Sequence, residues 1–328
     1  MKVNAVFQGG GVKGIALVGA IAAMEERKVG FHQMAGTSSG SIVAALLAAG
    51  YTAEEMKKLI LETPFSQFVQ KDFLFRLGYA GPALRLLIKK GLYSGEQLER
   101  WVHRKLMDKG IRTFNDLQPR QLRIIASDIT QGRLLVLPDD IIQYDINPDR
   151  FEISKAVRMS CSIPYFFEPV LIRKNVRDKK PLDAFHKQFY YIVDGGLLSN
   201  FPLWLFDQSG AVRRGIPTLG FQLVGKNQNH PNRIVGPITM LQALFDTMLS
   251  AHDERYIEKH NDYRTIKIPS DAVGLTEFSV STERSMELFE SGLSAGRRFL
   301  DHWSMDEYLK KYGQYERESL KDRDRVMS

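Results

Sequence analysis

A serine between two glycines is the residue of this chain whose spacing points most directly to chemistry. Ser38 lies in the pattern Gly36-x-Ser38-x-Gly40, after the short apolar stretch 29–35 and before the small-residue run 42–49. This order predicts a strand, a sharp turn and a helix. Small neighbours allow the strained backbone that raises a nucleophilic hydroxyl above the edge of a sheet. Because glycine and serine are common, the pattern is equally typical of an ordinary strand-to-helix turn.

A glycine-rich loop near the start of the chain is the second candidate element. The predicted strand 3–7 leads into Gly9-Gly10-Gly11-Val12-Lys13-Gly14, and a helix is expected over 15–27. Such a loop aims several backbone N–H groups in one direction and suits an anion. A P-loop would require lysine where Ile15 stands. A dinucleotide site would require an acidic residue about twenty residues further on, and the chain has none between Glu26 and Glu54.

An oxyanion hole is the third reading of this loop. The second predicted strand ends at the Ser38 turn, so two parallel strands side by side would place the loop against that serine. The amides of Gly10 and Gly11 would then stabilise a tetrahedral oxyanion. Lys13 is expected to be structural or to contribute to the local field.

The proton acceptor for Ser38 is the next requirement. A Ser-Asp-His order is open, with His252, His260 or His302 as the histidine, although none follows a glycine-rich strand end. Asp194 follows the predicted strand 189–193 and precedes two glycines. That position is where α/β sheets place functional side chains, and it is equally typical of a turn-initiating aspartate. Partial burial would raise its basicity enough for a Ser-Asp dyad.

Three motifs in order resemble the patatin-like phospholipase family: residues 9–14, 36–40 and 194–196. Residues 126–132 and 160–164 resemble its middle segments, and the similarity spans most of 3–300. The resemblance implies a three-layer α/β/α sandwich with a mostly parallel central sheet, and a Ser-Asp dyad acting on acyl esters of lipids. It assigns Ser38 as nucleophile and Asp194 as base, with oxyanion donors from Gly9, Gly10 and Gly11. The supporting motif residues are Lys13, Gly14, Gly36, Gly40, Gly195 and Gly196, where Lys13 replaces a frequent arginine.

Composition limits the partners and the compartment. The 328 residues carry a net charge of +7 and a single cysteine, Cys161. No disulfide can form within the chain, so a reducing, cytoplasmic setting is expected, with Cys161 as a packed small residue. No signal peptide is visible, and the longest apolar run, 15–24, is too short to cross a bilayer. Membrane contact should be peripheral, at the inner face; no nucleic-acid-binding signature is present.

One domain is predicted over 1–312, followed by a charged tail over 313–328. Residues 51–110 are more polar and helical, with capping boxes expected at Thr52 and Ser94. Within them, 65–79 and 84–90 mix aromatic and aliphatic residues with lysine and arginine, which is typical of a core-facing cap or of a lid that touches lipid. The basic stretch 173–180 is read as a solvated hairpin or a headgroup contact.

The leading hypothesis is a serine lipid acyl hydrolase that needs no metal or cofactor. Its substrate would be a phospholipid or another acyl lipid. Acyl transfer from the same acyl-enzyme is an alternative reaction. A non-catalytic module that binds anions or nucleotides through the glycine loop is an alternative of another class, and the missing ribose-binding acid and P-loop lysine speak against it.

Overall fold

An eight-stranded mixed sheet forms the centre of the molecule. The computed structural model describes residues 1–69, 80–174, 188–207, 215–225, 234–236, 240, 243–244, 247, 261–270 and 280–313. The strands are β1 Lys2–Phe7, β2 Gly30–Thr37, β3 Gly91–Tyr93, β4 Leu122–Asp128, β5 Arg133–Leu137, β6 Tyr165–Phe167, β7 Val170–Arg173, β8 Phe189–Asp194, β9 Thr218–Val224 and β10 Thr265–Pro269. β3 and β6 form a separate two-stranded sheet.

Helices fill one face of the central sheet. The helices of the described ranges are α1 Gly14–Glu26, α2 Ser39–Ala48, α3 Ala53–Glu62, α4 Ala80–Lys89, α5 Glu96–Met107, α6 Ile153–Ser160, α7 Thr282–His302, and α8 over 305–313. All of them except α4 and α8 supply residues to the core on that face. The main core lies between this layer and the sheet, and it takes Val3, Ala5 and Phe7 from β1. No helix in these ranges combines the length and the hydropathy needed to span a bilayer.

The opposite face of the sheet carries a second, smaller core. Val6, Ala35 and Ile125 point to this side, where short 3-10 turns around Leu203 and Phe206 cover them. Successive side chains of β1 therefore pack into opposite layers, because side chains alternate between the two faces of a strand. The predicted three-layer α/β/α architecture is confirmed.

The pairings make the sheet mostly parallel, as expected. The strands hydrogen-bond in the path β10-β9-β1-β2-β4-β8-β7, with β5 added on β4. All pairings from β10 to β4 are parallel, while β5, β7 and β8 join by antiparallel pairings. The carboxyl ends of β1 and β2 consequently meet at one edge of the sheet.

Strand β4 serves as a template on which two other strands meet end to end. β2 pairs with its first half, up to Thr37 opposite Ile125, and β8 pairs with its second half, from Asp194 opposite Ala126. Since β5 occupies the other edge of β4 across both halves, β2 and β8 share a single edge. They run toward each other, and their last residues stop at neighbouring positions of β4. The residue after Thr37 is Ser38.

Helices α1 and α7 pack in backbone contact through glycines. A Cβ on Gly19 would lie 2.0 Å from the carbonyl oxygen of Phe289, and one on Gly292 would lie 1.9 Å from that of Ala16. Only hydrogen fits between the two helices at these positions. This contact fixes α1, and with it the glycine loop that precedes α1.

Two local predictions are wrong. The apolar sequence 166–172 predicts a single strand, but Tyr165 has a positive φ of 64° and the chain divides into β6 and β7, which belong to different sheets. The expected capping box at Ser94 is replaced by Gly95, which precedes α5 in a left-handed conformation (φ 67°). The capping box of Thr52 with Glu55 is present. Residues 70–79 and 175–187, on which the two lipid-contact hypotheses partly rested, lie outside the described residues.

Candidate active site

Ser38 occupies a strained turn between β2 and α2. Its backbone has φ 51° and ψ −127°, a conformation that L-residues adopt at a cost, and only 8% of the residue is exposed. A Cβ on Gly36 would lie 2.3 Å from the carbonyl oxygen of Gly40, and one on Gly40 would lie 2.3 Å from that of Phe7. Both glycines of the motif are therefore required by close backbone approach around the serine.

Two further serines hold the strained backbone of Ser38. The Ser38 N–H donates to Ser160 Oγ at 2.9 Å, at the end of α6. The Ser38 carbonyl accepts from the N–H of Ser41 at 2.8 Å and from its hydroxyl at 2.6 Å. The polar groups of the turn are satisfied without the Ser38 hydroxyl, which leaves that hydroxyl available for other contacts.

The glycine loop lies directly against Ser38. A Cβ on Gly9 would lie 3.0 Å from Ser38 Cβ and 2.4 Å from Asn200 Oδ1. The Gly9 N–H donates to the Asn200 carbonyl at 3.3 Å, and the Gly10 N–H donates to Ser39 Oγ at 3.0 Å. Two of the three expected oxyanion donors are thus already engaged within the protein.

Gly11 differs from the other two glycines. It begins a short 3-10 turn over 11–13 with a φ of 58°, and its N–H has no hydrogen-bond partner among the described residues. Lys13 ends that turn and is half-buried, with its N–H bonded to the Gly10 carbonyl at 3.2 Å. Gly14 opens α1 in ordinary contact with Ser39, at 3.5 Å for a Cβ placed there.

Asp194 is completely buried at the end of β8. Its Oδ1 accepts the N–H of Gly196 at 2.8 Å, whereas its buried Oδ2 makes no hydrogen bond within the described part of the chain. Gly195 packs directly against the backbone of β4, since a Cβ there would lie 2.3 Å from the Ile125 carbonyl oxygen. One carboxylate oxygen is held in place and the other is free to accept a proton.

Burial raises the pKa of Asp194 to about 7, because a charged carboxylate is poorly solvated in the interior. Two groups oppose this shift because they favour the charged form of the carboxylate. They are the nearby Ser38 hydroxyl, which is close to the carboxylate without the geometry of a full hydrogen bond, and the Gly196 N–H, which donates to Oδ1. A carboxyl group with a pKa near 7 exchanges protons readily at neutral pH. The serine–aspartate pair expected from the sequence is therefore brought together, with a carboxylate of unusual basicity.

The antiparallel direction of β8 was not anticipated. The sequence argument placed Asp194 at the carboxyl end of a strand in a mostly parallel sheet, at the same rim as Ser38, and assigned that strand no direction. Asp194 reaches Ser38 because β8 arrives from the opposite direction and ends where β2 ends.

Three supporting residues were missed as site residues. Ser160 binds the Ser38 N–H, Ser39 holds the loop amide of Gly10, and Asn200 donates from Nδ2 to the Gly9 carbonyl at 3.3 Å. All three are almost fully buried. The signal in the sequence was the small polar residues within otherwise apolar runs. These side chains bind backbone groups of other segments that lie far away in the sequence. Their partners therefore cannot be read from local sequence.

The histidines in the described ranges do not form a triad with this pair. His32 is exposed in the first half of β2, and His302 is exposed at the end of α7. His103 lies 3.5 Å from a carboxylate oxygen of Glu152. His252 and His260 are outside the described residues.

Cys161 is buried beside the site and packs as predicted. Its sulfur lies 3.8 Å from Ser41 Oγ. Burial, followed by the charge of Asp194, raises the pKa of its thiol well above the usual range, so it remains protonated and unreactive. Over the described ranges, no cluster of three or more His, Cys, Asp or Glu side chains is arranged to bind a metal.

Comparison with known proteins gives concordant matches. The profile of the family described as Patatin-like phospholipase matches residues 5–207. The uncharacterized protein YqhO of Bacillus subtilis is 40% identical over 93% of this chain and all of its own length. The probable lipid hydrolase 463L of Invertebrate iridescent virus 6 is 28% identical over 60% of this chain and 61% of its own. Among solved structures, VipD of Legionella pneumophila superposes with a TM-score of 0.50 and 17% identity, covering 91% of this chain and 66% of that one.

Proposed function

The chain belongs to the patatin-like phospholipase family, and on that premise we propose that it is a serine lipid acyl hydrolase with Ser38 as nucleophile and Asp194 as general base. The observation that supports the proposal is the end-to-end meeting of β2 and β8 on β4, because the residues that end these strands lie at neighbouring positions of β4. Burial gives the carboxylate the basicity that the reaction requires.

The first half of the reaction forms an acyl-enzyme. Ser38 Oγ attacks the ester carbonyl carbon while its proton passes to Asp194 Oδ2. The carbonyl oxygen becomes an oxyanion, which the free N–H of Gly11 stabilises, while the bonded amides of Gly9 and Gly10 keep the loop in position. Collapse of the tetrahedral intermediate breaks the bond to the alcohol, and the alcohol leaves with the proton from Asp194.

Water completes the cycle at the same groups. It attacks the acyl carbonyl as its proton passes to Asp194, the oxyanion forms again at the loop, and the bond to Ser38 Oγ breaks. Ser38 regains its proton from Asp194, and a fatty acid leaves. No step requires a group that the chain itself lacks.

Hydrogen bonds with two neighbouring serines hold Ser38 in its strained backbone conformation. The positive φ of Ser38 costs on the order of 1–3 kcal/mol, and it persists because Ser160 and Ser41 bind its N–H and its carbonyl. The strain points the hydroxyl out of the backbone hydrogen-bond network and toward the carboxylate. An unstrained turn would start α2 without presenting that hydroxyl.

The hydrogen bonds of the glycine loop speak against a role in binding nucleotides or other anions. A phosphate cradle requires several free N–H groups aimed at one point. Here the Gly9 and Gly10 amides donate to Asn200 and Ser39, so the loop retains too few donors.

The proposal is tested by hydrolysis of phospholipids, lysophospholipids, neutral glycerides and short-chain esters, with the Ser38→Ala protein as blank. A fluorophosphonate should label the native chain and spare Ser38→Ala. Asp194→Asn should abolish hydrolysis, whereas Asp128→Asn, a matched change of another buried strand-end carboxylate, should retain it. Full activity of Ser38→Ala would refute the nucleophile assignment. Product analysis with added alcohol acceptors separates hydrolysis from acyl transfer.

A further inference from the structure

Helix α4 turns three large aliphatic side chains toward solvent. Leu84, Leu87 and Ile88 are 41%, 78% and 59% exposed. The spacing of three and four residues places them on one face of the helix. A contiguous exposed aliphatic face is uncommon on a monomeric protein and marks a surface that meets another apolar phase or partner.

A buried arginine fixes the orientation of this face. Arg85 is nearly inaccessible, and its Nε donates to the Leu92 carbonyl at 2.6 Å while its Nη2 donates to a carboxylate oxygen of Glu168, also at 2.6 Å. The helix is therefore anchored through its polar side. Because the anchored side is polar, the aliphatic residues cannot rotate inward without breaking a buried ion pair.

The residue that follows α4 reaches the main sheet next to two more exposed aliphatic residues. The Lys90 ammonium, just after α4, lies 5.3 Å from the centre of the Tyr191 ring. Tyr191 is paired with Leu171, which is 41% exposed, and its carbonyl accepts the N–H of Ile129, which is 50% exposed. We call the outward face of α4 together with Ile129 and Leu171 the apolar platform.

Positive charge borders the platform. Lys89, Lys90 and Arg173 are exposed at its margin. Among the described residues, the nearby carboxylates of Glu168 and Asp128 offset little of this charge at the surface. Glu168 is paired with Arg85, and Asp128 is buried and accepts the Tyr144 hydroxyl. Exposed aliphatic side chains bordered by lysine and arginine match the interface of a bilayer that contains anionic lipids.

We propose that the apolar platform docks the protein on an anionic lipid bilayer, with Leu87 and Ile88 entering the interface and Lys89 and Lys90 meeting the headgroups. This inference rests on the proposed function, since it supplies the surface from which a lipid would reach the site. Tyr191 is three residues before Asp194 on β8, which is about 10 Å along a strand. Docking through the platform therefore places the bilayer surface against the first half of β8, the strand that ends at the buried carboxylate.

The test is a partition measurement with the full chain. The Ser38→Ala protein, which leaves lipid intact, is sedimented with vesicles of phosphatidylcholine alone and of phosphatidylcholine with phosphatidylglycerol. Stronger partition onto the anionic vesicles is expected. On those vesicles, Leu87→Ser with Ile88→Ser should weaken partition roughly tenfold or more. Lys89→Gln with Lys90→Gln should weaken it about fivefold per charge.

Matched controls make the same kinds of substitution at exposed sites outside the apolar platform. Met107→Ser with Ile142→Ser removes two exposed aliphatic side chains elsewhere. Lys2→Gln with Lys28→Gln removes two exposed lysines, and Lys28 resembles Lys90 in following a helix with a positive φ. Both control pairs should partition like the parent protein.

Several results would overturn the proposal. These are partition that is unchanged in the platform variants, equal losses in the control pairs, no preference for the anionic vesicles, or a platform variant that converts a dimer to a monomer without changing partition. Hydrolysis of a monomeric short-chain ester by the chain with native Ser38 is measured in parallel. Its absence, together with the expected partition, would reject the proposed function and leave the docking surface standing.

Discussion

At the scale of single residues, the reactivity of this site depends on how thoroughly one carboxylate is removed from water. Asp194 has one oxygen fixed by the Gly196 amide and one buried oxygen without a partner. Burial of this carboxylate destabilises its charged form and raises its pKa to about 7, which is close to neutrality.

The pH dependence of hydrolysis follows from this burial. Asp194 has to be charged to accept the Ser38 proton, and its pKa is raised to about 7. We expect kcat/KM for a soluble short-chain ester to rise about tenfold per pH unit below pH 7 and to level off above it. Initial rates between pH 5 and 9 check this. A profile that levels off near pH 4, the usual range of aspartate, would contradict it.

The same carboxylate lowers stability at neutral pH. Because its pKa is higher in the folded chain than in the unfolded one, its contribution is favourable below pH 4 and is lost as the pH rises through about 7. Asp194→Asn should therefore raise the free energy of unfolding at pH 8, on the order of 2 kcal/mol, while abolishing hydrolysis. Urea unfolding of both proteins at pH 5 and pH 8 measures this. A variant that is less stable than the parent at pH 8 would count against it.

Ser160 is expected to act as a positioning residue. Ser160→Ala would leave the buried Ser38 N–H without its acceptor, at a cost of about 1–3 kcal/mol, and would relax the strained turn. We expect kcat to fall about tenfold or more with KM for a short-chain ester nearly unchanged. Ser162→Ala is the control, because that buried serine donates to the Arg158 carbonyl and makes no bond to Ser38. Equal losses of kcat in both variants would indicate a general structural effect.

At the scale of elements, the sequence predicted the strands and helices better than their directions. The sequence predicts strands over 133–137 and 218–224, which are the bounds of β5 and β9. The Ser38 turn lies where two glycines and a small-residue run predict it. Apolar runs bounded by turn residues carry that information locally. The antiparallel course of β8 and the hydrogen bond from Ser38 to Ser160 depend on segments far apart in the chain, and neither periodicity nor spacing encodes them.

The glycine contact between α1 and α7 should be sensitive to a single methyl group. In Gly292→Ala the added Cβ would lie 1.9 Å from the Ala16 carbonyl oxygen, so the helices must separate. We expect a loss of about 1–3 kcal/mol in the free energy of unfolding. Thermal unfolding measures it against Gly313→Ala, where an added Cβ has no atom of the described residues within 4 Å. Equal stability of the two variants would mean that the helices tolerate the separation.

At the scale of the whole molecule, the C-terminal helix α8 is part of the core structure. Tyr308 and Tyr312 are each 2% exposed, and the Tyr308 hydroxyl accepts the N–H of Thr218 at the start of β9. Tyr312 also faces Arg264, a fully buried arginine held by two hydrogen bonds to Asp207. The domain end expected at residue 312 stays a prediction, and residues 314–328 of the predicted tail lie outside the described residues.

Truncation tests that domain end. A chain ending at residue 303 would lose both tyrosines and expose the Arg264–Asp207 pair, so we expect a loss of about 4 kcal/mol or more in the free energy of unfolding. A chain ending at residue 313 should unfold at the temperature of the full chain. Differential scanning calorimetry compares the three lengths. Equal melting of the shorter chain and the full chain would show that α8 is dispensable.

The meeting of β2 and β8 on β4 also determines when the chain becomes reactive during synthesis. Ser38 is synthesised early in the chain. Asp194 follows only after β4, β5 and β7, and it reaches Ser38 only when β8 has paired with β4. A nascent or cleaved chain that ends before Asp194 carries a complete serine turn and has no base to activate it. Under the proposed mechanism, hydrolysis of acyl esters therefore begins only after β8 has paired with β4, and fluorophosphonate labelling of Ser38 becomes a readout of that pairing.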